Sequence, residues 1–265
     1  MKQMFSRPDW HISRCGTLKA VVDWRHIPDA PEFMHGLRAL FISDLHITPA
    51  TTQSNLESLI ARIESLAPDL LLLGGDYADV FTHTQRFFGA LRELPTPPLG
   101  SFAVLGNNDR EACPNLDILY AQADAAGVRL LVNQSEVINL KGGCLHIAGI
   151  DEYRYGAPNS AGLYPRTPLP NTYRILLSHY PCLPKILPDL ILSGHTHGGQ
   201  FNLMGITPYT LGFERILHCE RAPEHIAGLL ETENFRLFVS KGIGASRIPV
   251  RIGVRPEINM LYFDD

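Results

Sequence analysis

Leu190-Ile191-Leu192-Ser193-Gly194-His195-Thr196-His197-Gly198-Gly199 places two imidazoles one residue apart in a glycine-rich turn directly after an apolar run. The run is short and apolar, as expected of a strand buried on both faces. The turn suits metal binding. Histidines at i and i+2 can aim at neighbouring ions, and the flanking glycines permit backbone angles and close approaches that a Cβ would block. A histidine pair in an ordinary surface loop has the same spelling, so its meaning depends on what lies upstream.

Four further groups of ligand-type side chains stand where β-like runs end. They are Phe41-Ile42-Ser43-Asp44-Leu45-His46; Leu70-Leu71-Leu72-Leu73-Gly74-Gly75-Asp76 with Asp79 beyond it; Phe102-Ala103-Val104-Leu105-Gly106-Asn107-Asn108-Asp109; and Ile175-Leu176-Leu177-Ser178-His179. In open α/β sheets, sites collect at the carboxyl ends of strands. Each group has an ordinary explanation, with Asp76 and Asp109 as turn residues, His179 as a core histidine and Asn107-Asn108 as a loop pair. Five coincidences at five strand ends are harder to dismiss, and together they predict an α/β enzyme built around metal.

The segments between these runs read as β-α units followed by a more β-rich half. Leu56, Leu59, Ile60, Ile63 and Leu66 recur at helical spacing, which predicts a helix over 55–66 capped by Ser54 and closed by Pro68. A second helix is expected over 84–94, before Pro95-Thr96-Pro97-Pro98, and a third over 114–126, ended by Gly127. Lys141-Gly142-Gly143 reads as a hairpin turn between strands at 137–140 and 144–150. The Pro-, Gly- and Tyr-rich stretch 153–171 reads as a long functional loop.

A chain of 265 residues with 45% hydrophobic content fits one globular domain, and no segment approaches the roughly 18–20 apolar residues of a membrane span. The first eight residues lack the apolar core of a signal peptide. Five scattered cysteines, Cys15, Cys113, Cys144, Cys182 and Cys219, show no paired spacing, and a cytoplasmic setting is the expectation. A net charge of −4 without basic clusters disfavours nucleic acid as a partner.

The ordered blocks Asp-x-His, Gly-Asp, Gly-Asn-x-Asp, a lone post-strand His and Gly-His-x-His resemble the calcineurin-like metallophosphoesterase superfamily. The match runs from about Leu37 to Phe263. Gly194-His-Thr-His-Gly-Gly-Gln200, Ser240-Lys-Gly-Ile-Gly244, Pro249-Val-Arg251 and Pro256-Glu-Ile258 resemble a bacterial branch of small phosphodiesterases. That branch includes a UDP-2,3-diacylglucosamine pyrophosphatase of lipid A synthesis. The resemblance implies an α/β fold of two packed mixed β-sheets flanked by helices in four layers, with an N-terminal segment, 1–36, packed on a catalytic domain at 37–265.

It further implies two divalent transition-metal ions, Mn first with Fe or Zn as alternatives. Asp44, His46, Asp76 and His197 would surround one, and Asp76, Asn107, His179 and His195 the other, with Asp76 bridging. Two such cations, less two carboxylates and a bridging hydroxide, leave about one net positive charge, which favours in-line attack on an anionic phosphodiester or pyrophosphate. Asp79 and Asp109 either orient imidazoles or bound water, or stabilise their own turns.

Asn108 departs from the family pattern, in which a histidine at this place protonates the leaving group. An alkoxide, whose conjugate acid has a pKa near 15.7, needs that acid, whereas phosphate, with a second pKa of about 6, does not. A pyrophosphate linkage is therefore the expected substrate. A slow diesterase drawing its proton from water, His83 or Asp109 is the other course. Arg251, with Arg247 and Arg255 beside it, is the candidate for phosphate binding, and Asn108 is a second candidate for contact with the substrate. Residues 201–213 form either an apolar wall for an acyl chain of a lipid-linked substrate or a core strand and turn. The N-terminal segment, with Lys2, Phe5, Arg7, Trp10, Ile12, Arg14, Lys19 and Arg25, is compatible with peripheral contact to an anionic membrane or with an edge strand. Phosphomonoester hydrolysis at the same metals, or a scaffold that has lost them, are the alternatives.

Overall fold

A computed structural model of the chain describes residues 11–264 apart from 15, 114, 166, 168, 186 and 214–223. Its strands are β1 (Ile12–Arg14), β2 (Val21–Ile27), β3 (Arg38–Ile42), β4 (Leu70–Leu73), β5 (Ser101–Ala103), β6 (Val128–Leu130), β7 (Gln134–Leu140), β8 (Gly143–Gly149), β9 (Thr172–Leu177), β10 (Leu190–Ser193), β11 (Gly228–Glu231), β12 (Arg236–Val239), β13 (Val250–Ile252) and β14 (Glu257–Phe263). The helices are α1 (Gln53–Leu66), α2 (Thr84–Leu91), α3 (Asn107–Ala112) and α4 (Leu116–Ala125).

Two mixed six-stranded sheets, β2-β14-β3-β4-β5-β6 and β11-β12-β10-β9-β8-β7, form the frame, with β1-β13 as a small third sheet. Strands β3 to β6 run parallel, as do β8, β9, β10 and β12, so ligand-bearing strand ends of each sheet point one way. Alternation along the strands divides the core. Ala39, Phe41, Leu70 and Leu72 pack with Ile147, Ile175, Leu192 and Phe238 of the other sheet. Their neighbours Leu40, Ile42, Leu71 and Leu73 face α1, α2 and α4.

Among the described residues the helical layer thus lies on one sheet. The outer face of the other is covered by Leu163 and Tyr164, from the long segment expected to be a loop, with Leu176, Ile191 and Leu237 beneath them. That segment is irregular but organised. The carboxylate of Glu152 accepts the backbone N–H groups of Arg154, Tyr155 and Gly156, and that of Asp151 accepts those of Glu152 and Ala157.

Local chemistry adjusts the expected boundaries. Helix α1 is capped by Thr52 rather than Ser54, because Asn55 sits where it can close a reciprocal box with the Thr52 hydroxyl and N–H. Helix α4 begins at Leu116, where the Asn115 side chain accepts the Asp117 N–H. The pair Asn107-Asn108, legible as a loop, opens the short helix α3. The β7–β8 hairpin closes Leu140 on Gly143, with Gly142 at φ 98°. Lys2, Phe5, Arg7, Trp10, Cys15 and Cys219 lie outside the described residues. Cys182 is disulfide-bonded, so the scattered spacing concealed a bridge and lends no support to a reducing compartment.

Phe41 is fully buried between the sheets. Truncation to Ala is expected to cost about 3–5 kcal/mol, read as a lower midpoint in chemical denaturation.

Candidate metal centre

The carboxyl ends of β3, β4, β5, β9 and β10 meet where the two sheets abut, and hydrogen bonds stitch one sheet's loops to the other's. The His195 N–H donates to the Asp44 carboxylate at 3.0 and 3.2 Å. His179 Nδ1 donates to the Gly74 carbonyl at 2.8 Å. The loop after β12 also enters, through Ile243 N–H to Ser43 O and Gly244 N–H to Asp44 O. A Cβ at Gly242 would meet the Asp44 side chain, and one at Gly244 would fall on the Leu45 carbonyl. This close approach gives the Ser240-Lys-Gly-Ile-Gly244 block a physical role that its sequence did not reveal.

Two clusters of ligand atoms result, Asp44, His46 and His197, and Asp44, Asp76 and His179, each with its ligand atoms within 4.8 Å of one another. His46 Nε2 lies 3.2 Å from His197 Nε2 and 3.5 Å from Asp76 Oδ2, and His197 Nε2 lies 3.6 Å from Asp44 Oδ1. His179 Nε2 is buried without a hydrogen-bond partner, 3.4 Å from Asp76 Oδ2. Because Nδ1 of His179 is engaged by a carbonyl and that of His46 by Asp79 at 2.6 Å, both rings present Nε2 to the carboxylates. That arrangement is typical of metal-ligating imidazoles. A buried nitrogen lacking a partner among converging carboxylates fits a divalent cation better than any hydrogen-bond network present.

His195 and Asn107 flank these clusters. His195 Nδ1 is 3.0 Å from Asn107 Oδ1, and its ring stacks on Tyr180 at 3.8 Å between centroids. Asp44 as well as Asp76 stands between the two sets, so the structure brings together all seven predicted ligands but makes Asp44 as central as Asp76.

Backbone strain is concentrated here. Asp44, His46, Asp76, His195 and His197 have φ of 53, 47, 56, 69 and 53°, a left-handed conformation natural to glycine that L-residues other than Asn and Asp seldom adopt. Gly75 is left-handed too, and a Cβ there would overlap Gly106 of the neighbouring loop.

Charge follows from burial. Burial would depress the His179 imidazole, but the Asp76 and Asp44 carboxylates and the Gly74 carbonyl raise it to about 10. Burial opposes ionisation of Asp76, yet His179, His46 and the Asn108 N–H hold its carboxyl below the ordinary range. Burial, followed by the charges of His46 and Arg251, keeps His197 neutral, the form that ligates metal.

Asp109 is fully enclosed, and its carboxylate accepts the backbone N–H groups of Asp76, Tyr77 and Gly106 at 2.7, 3.0 and 2.9 Å. It clamps the β4 and β5 loops together and touches no imidazole, whereas Asp79 does orient His46. Asn108 sits beside them, its N–H donating to Asp76 Oδ1 at 2.8 Å and its amide to Asp79 Oδ1 at 3.3 Å.

Arg251, expected at a phosphate, is instead wholly buried. Its Nε donates to the Gly244 carbonyl and its Nη2 lies 3.0 Å from His197 Nδ1. A Gly/Pro-punctuated sequence reads as exposed, but β13 pairs with β1 and draws the side chain inward. Arg154 and Tyr180, which the sequence did not mark, line the cleft over Asn107 and His195. Arg251→Lys is expected to weaken metal affinity ten- to hundredfold, by calorimetric titration, while KM at saturating metal stays unchanged. A raised KM alone would return Arg251 to substrate binding.

The sequence profile of the calcineurin-like phosphoesterases matches residues 37–199, the stretch that carries every residue of both clusters. The chain is 28% identical over 238 residues to the uncharacterized metallophosphoesterase YkuE of Bacillus subtilis, covering 87% of this chain and 80% of that protein. It is 29% identical over 234 residues to the phosphodiesterase YaeI of Escherichia coli, covering 84% and 81%. Among solved structures, the NAD nucleotidase of Haemophilus influenzae superposes with a TM-score of 0.45 at 14% identity, over 82% of this chain and 48% of that one. Five strand ends that converge on two carboxylate–imidazole clusters, within the span of that profile, make this chain a metal-binding hydrolase that belongs to the calcineurin-like phosphoesterase family.

Proposed function

We propose that the protein hydrolyses a phosphodiester or pyrophosphate bond whose leaving group needs no protonation, with Mn as the native metal and Fe or Zn as substitutes. The observation that carries this reading is Asn108. It occupies the edge of the centre between Asp76, Asp79 and His46, and its amide has no proton to give at neutral pH. Burial and the neighbouring Asp76 charge raise the Asp109 carboxyl to about 7, but both of its oxygens are engaged by backbone N–H groups of the β4 and β5 loops. The mixed carboxylate, amide and imidazole set suits Mn, Fe or Zn better than Ca.

Bound at the two clusters, divalent cations would supply Lewis acidity and neutralise charge on the phosphoryl oxygens. The chain's own part is to hold His46 by Asp79, to hold His197 by Arg251, and to place Asn107, Asn108 and Arg154 along the entrance. The cleft beyond them holds about 560 Å³ and is walled by Phe201, Pro208, Tyr209, Phe213 and Ile248. An anionic phosphorus at the metals with an apolar group along that wall matches a nucleotide-linked lipid such as UDP-2,3-diacylglucosamine. The E. coli relative named a phosphodiesterase supports the more general reading, hydrolysis of phosphodiesters.

The decisive experiment is hydrolysis with added metal of UDP-2,3-diacylglucosamine, an alkyl diester, bis(p-nitrophenyl) phosphate and phosphomonoesters, with products identified by mass. Pyrophosphate and aryl diester cleavage is expected to exceed alkyl diester cleavage. Asn108→His is expected to raise the alkyl rate by about 10²-fold or more, with little gain on pyrophosphate. Wild type that cleaves alkyl diesters as fast as pyrophosphates refutes the leaving-group reading. Asp76→Asn is expected to abolish turnover on every substrate.

A further inference from the structure

An apolar surface beyond the cleft plays no part in the chemistry of the metal centre. Leu203 and Ile206 exchange backbone hydrogen bonds of 2.9 and 3.1 Å around a two-residue turn in which Met204 and Gly205 have φ of 57 and 91°. Turns of this kind favour Asn-Gly. Methionine at the first position incurs a left-handed backbone penalty, and its side chain is 70% exposed. Leu203 and Ile206 on either side are about half exposed, at 49 and 56%. A core strand, the alternative reading of this stretch, would have buried them.

The surface extends through chain pairing. Phe201 bridges to Ile252, which pairs across β1–β13 with the exposed Ile12. Phe213 and Ile248, also exposed, join the hairpin to the mouth of the cleft. Single exposed apolar residues are ordinary, whereas a contiguous set marks a contact surface.

Charge selects the partner. In a chain of net charge −4, segments 11–14, 201–213 and 246–255 contain no Asp or Glu, while Arg14 and Arg247 are exposed. A two-fold contact with a second copy would set this basic rim against itself. We propose that the rim docks on an anionic lipid bilayer, with the 203–206 hairpin entering the boundary between headgroups and acyl chains and Arg14 and Arg247 against lipid phosphates. Docked this way, the cleft mouth at Phe213 and Ile248 faces the plane in which lipid-linked phosphates lie. The proposal extends the phosphoester reading above, but its test is independent of it.

The test is flotation of the metal-loaded full chain with phosphatidylglycerol–phosphatidylcholine vesicles and with pure phosphatidylcholine vesicles, the surface variant below separating rim binding from phosphate capture at the metals. Binding is expected on the anionic vesicles and at least tenfold weaker on the neutral ones. The double variant Met204→Asn, Ile206→Thr keeps turn and strand propensity, so the fold is retained. It is expected to lose at least tenfold in vesicle affinity while bis(p-nitrophenyl) phosphate hydrolysis with metal stays within about twofold of wild type. Wild type that ignores both vesicle types, or a variant that binds as well as wild type, overturns the proposal. So does a concentration-dependent dimer in sedimentation that the variant abolishes, which would make the surface a self-association face. Loss of all phosphoester turnover in wild type would sink the functional reading and leave the flotation result standing.

Discussion

Five non-glycine residues held in left-handed backbone, Asp44, His46, Asp76, His195 and His197, are the constraint on which the rest of the molecule depends. At about 1–2 kcal/mol for each of the three histidines, and less for the two aspartates, they store a sizeable fraction of the net stability of a domain. The compensation comes from a distance: two sheets packed through Phe41, Leu72, Ile147 and Phe238, a helical layer behind one of them, and hydrogen bonds that cross between the sheets. The scaffold is large relative to the centre because it must hold several backbones where they would not rest alone.

The same constraint explains why the glycines around the centre are of two kinds. Gly75 and Gly242 are left-handed themselves, while Gly106 and Gly244 have ordinary angles but leave no room for a Cβ. At Gly106 such an atom would fall on the Asp76 carboxylate. Loops packed this closely bury peptide groups, which must find partners. Asp109 takes three N–H groups and Arg251 takes the Gly244 carbonyl. Two residues that look from their chemistry like participants in the reaction thus serve the backbone that carries it.

What could be read from the chain follows from how local each signal is. A Leu-rich run ending in Gly-Asp spells both a buried strand and the ligand after it, so the strands before Asp44, Asp76, Asn107, His179 and His197 were legible one by one. The role of Asp109 was not, since its partners at Asp76 and Tyr77 are more than thirty positions away and involve only main chain. Arg251 misled because punctuation by Gly and Pro reports turns, not depth. Residues 201–213 were ambiguous for the opposite reason, because Leu, Met, Ile and Phe have the same composition in a core and on a contact surface. Only their exposure separates the two. The Cys182 disulfide left no mark in the spacing, because bridges join residues that the fold, not the sequence, brings close.

Strand β14 lies between β2 and β3, parallel to the first and antiparallel to the second. While a ribosome is still threading out residue 256, β3, which leads to Asp44 and His46, has β4 on one side and an open edge on the other. Such an edge is a template for the wrong strand, and the sequence separation makes its proper closure slow. Synthesis therefore passes through an interval in which all seven ligands exist but the sheet behind Asp44 and His46 is still open beside β3. The last strand made is thus the one that closes the edge beside the first ligands, and until it pairs that edge stays open to a wrong partner.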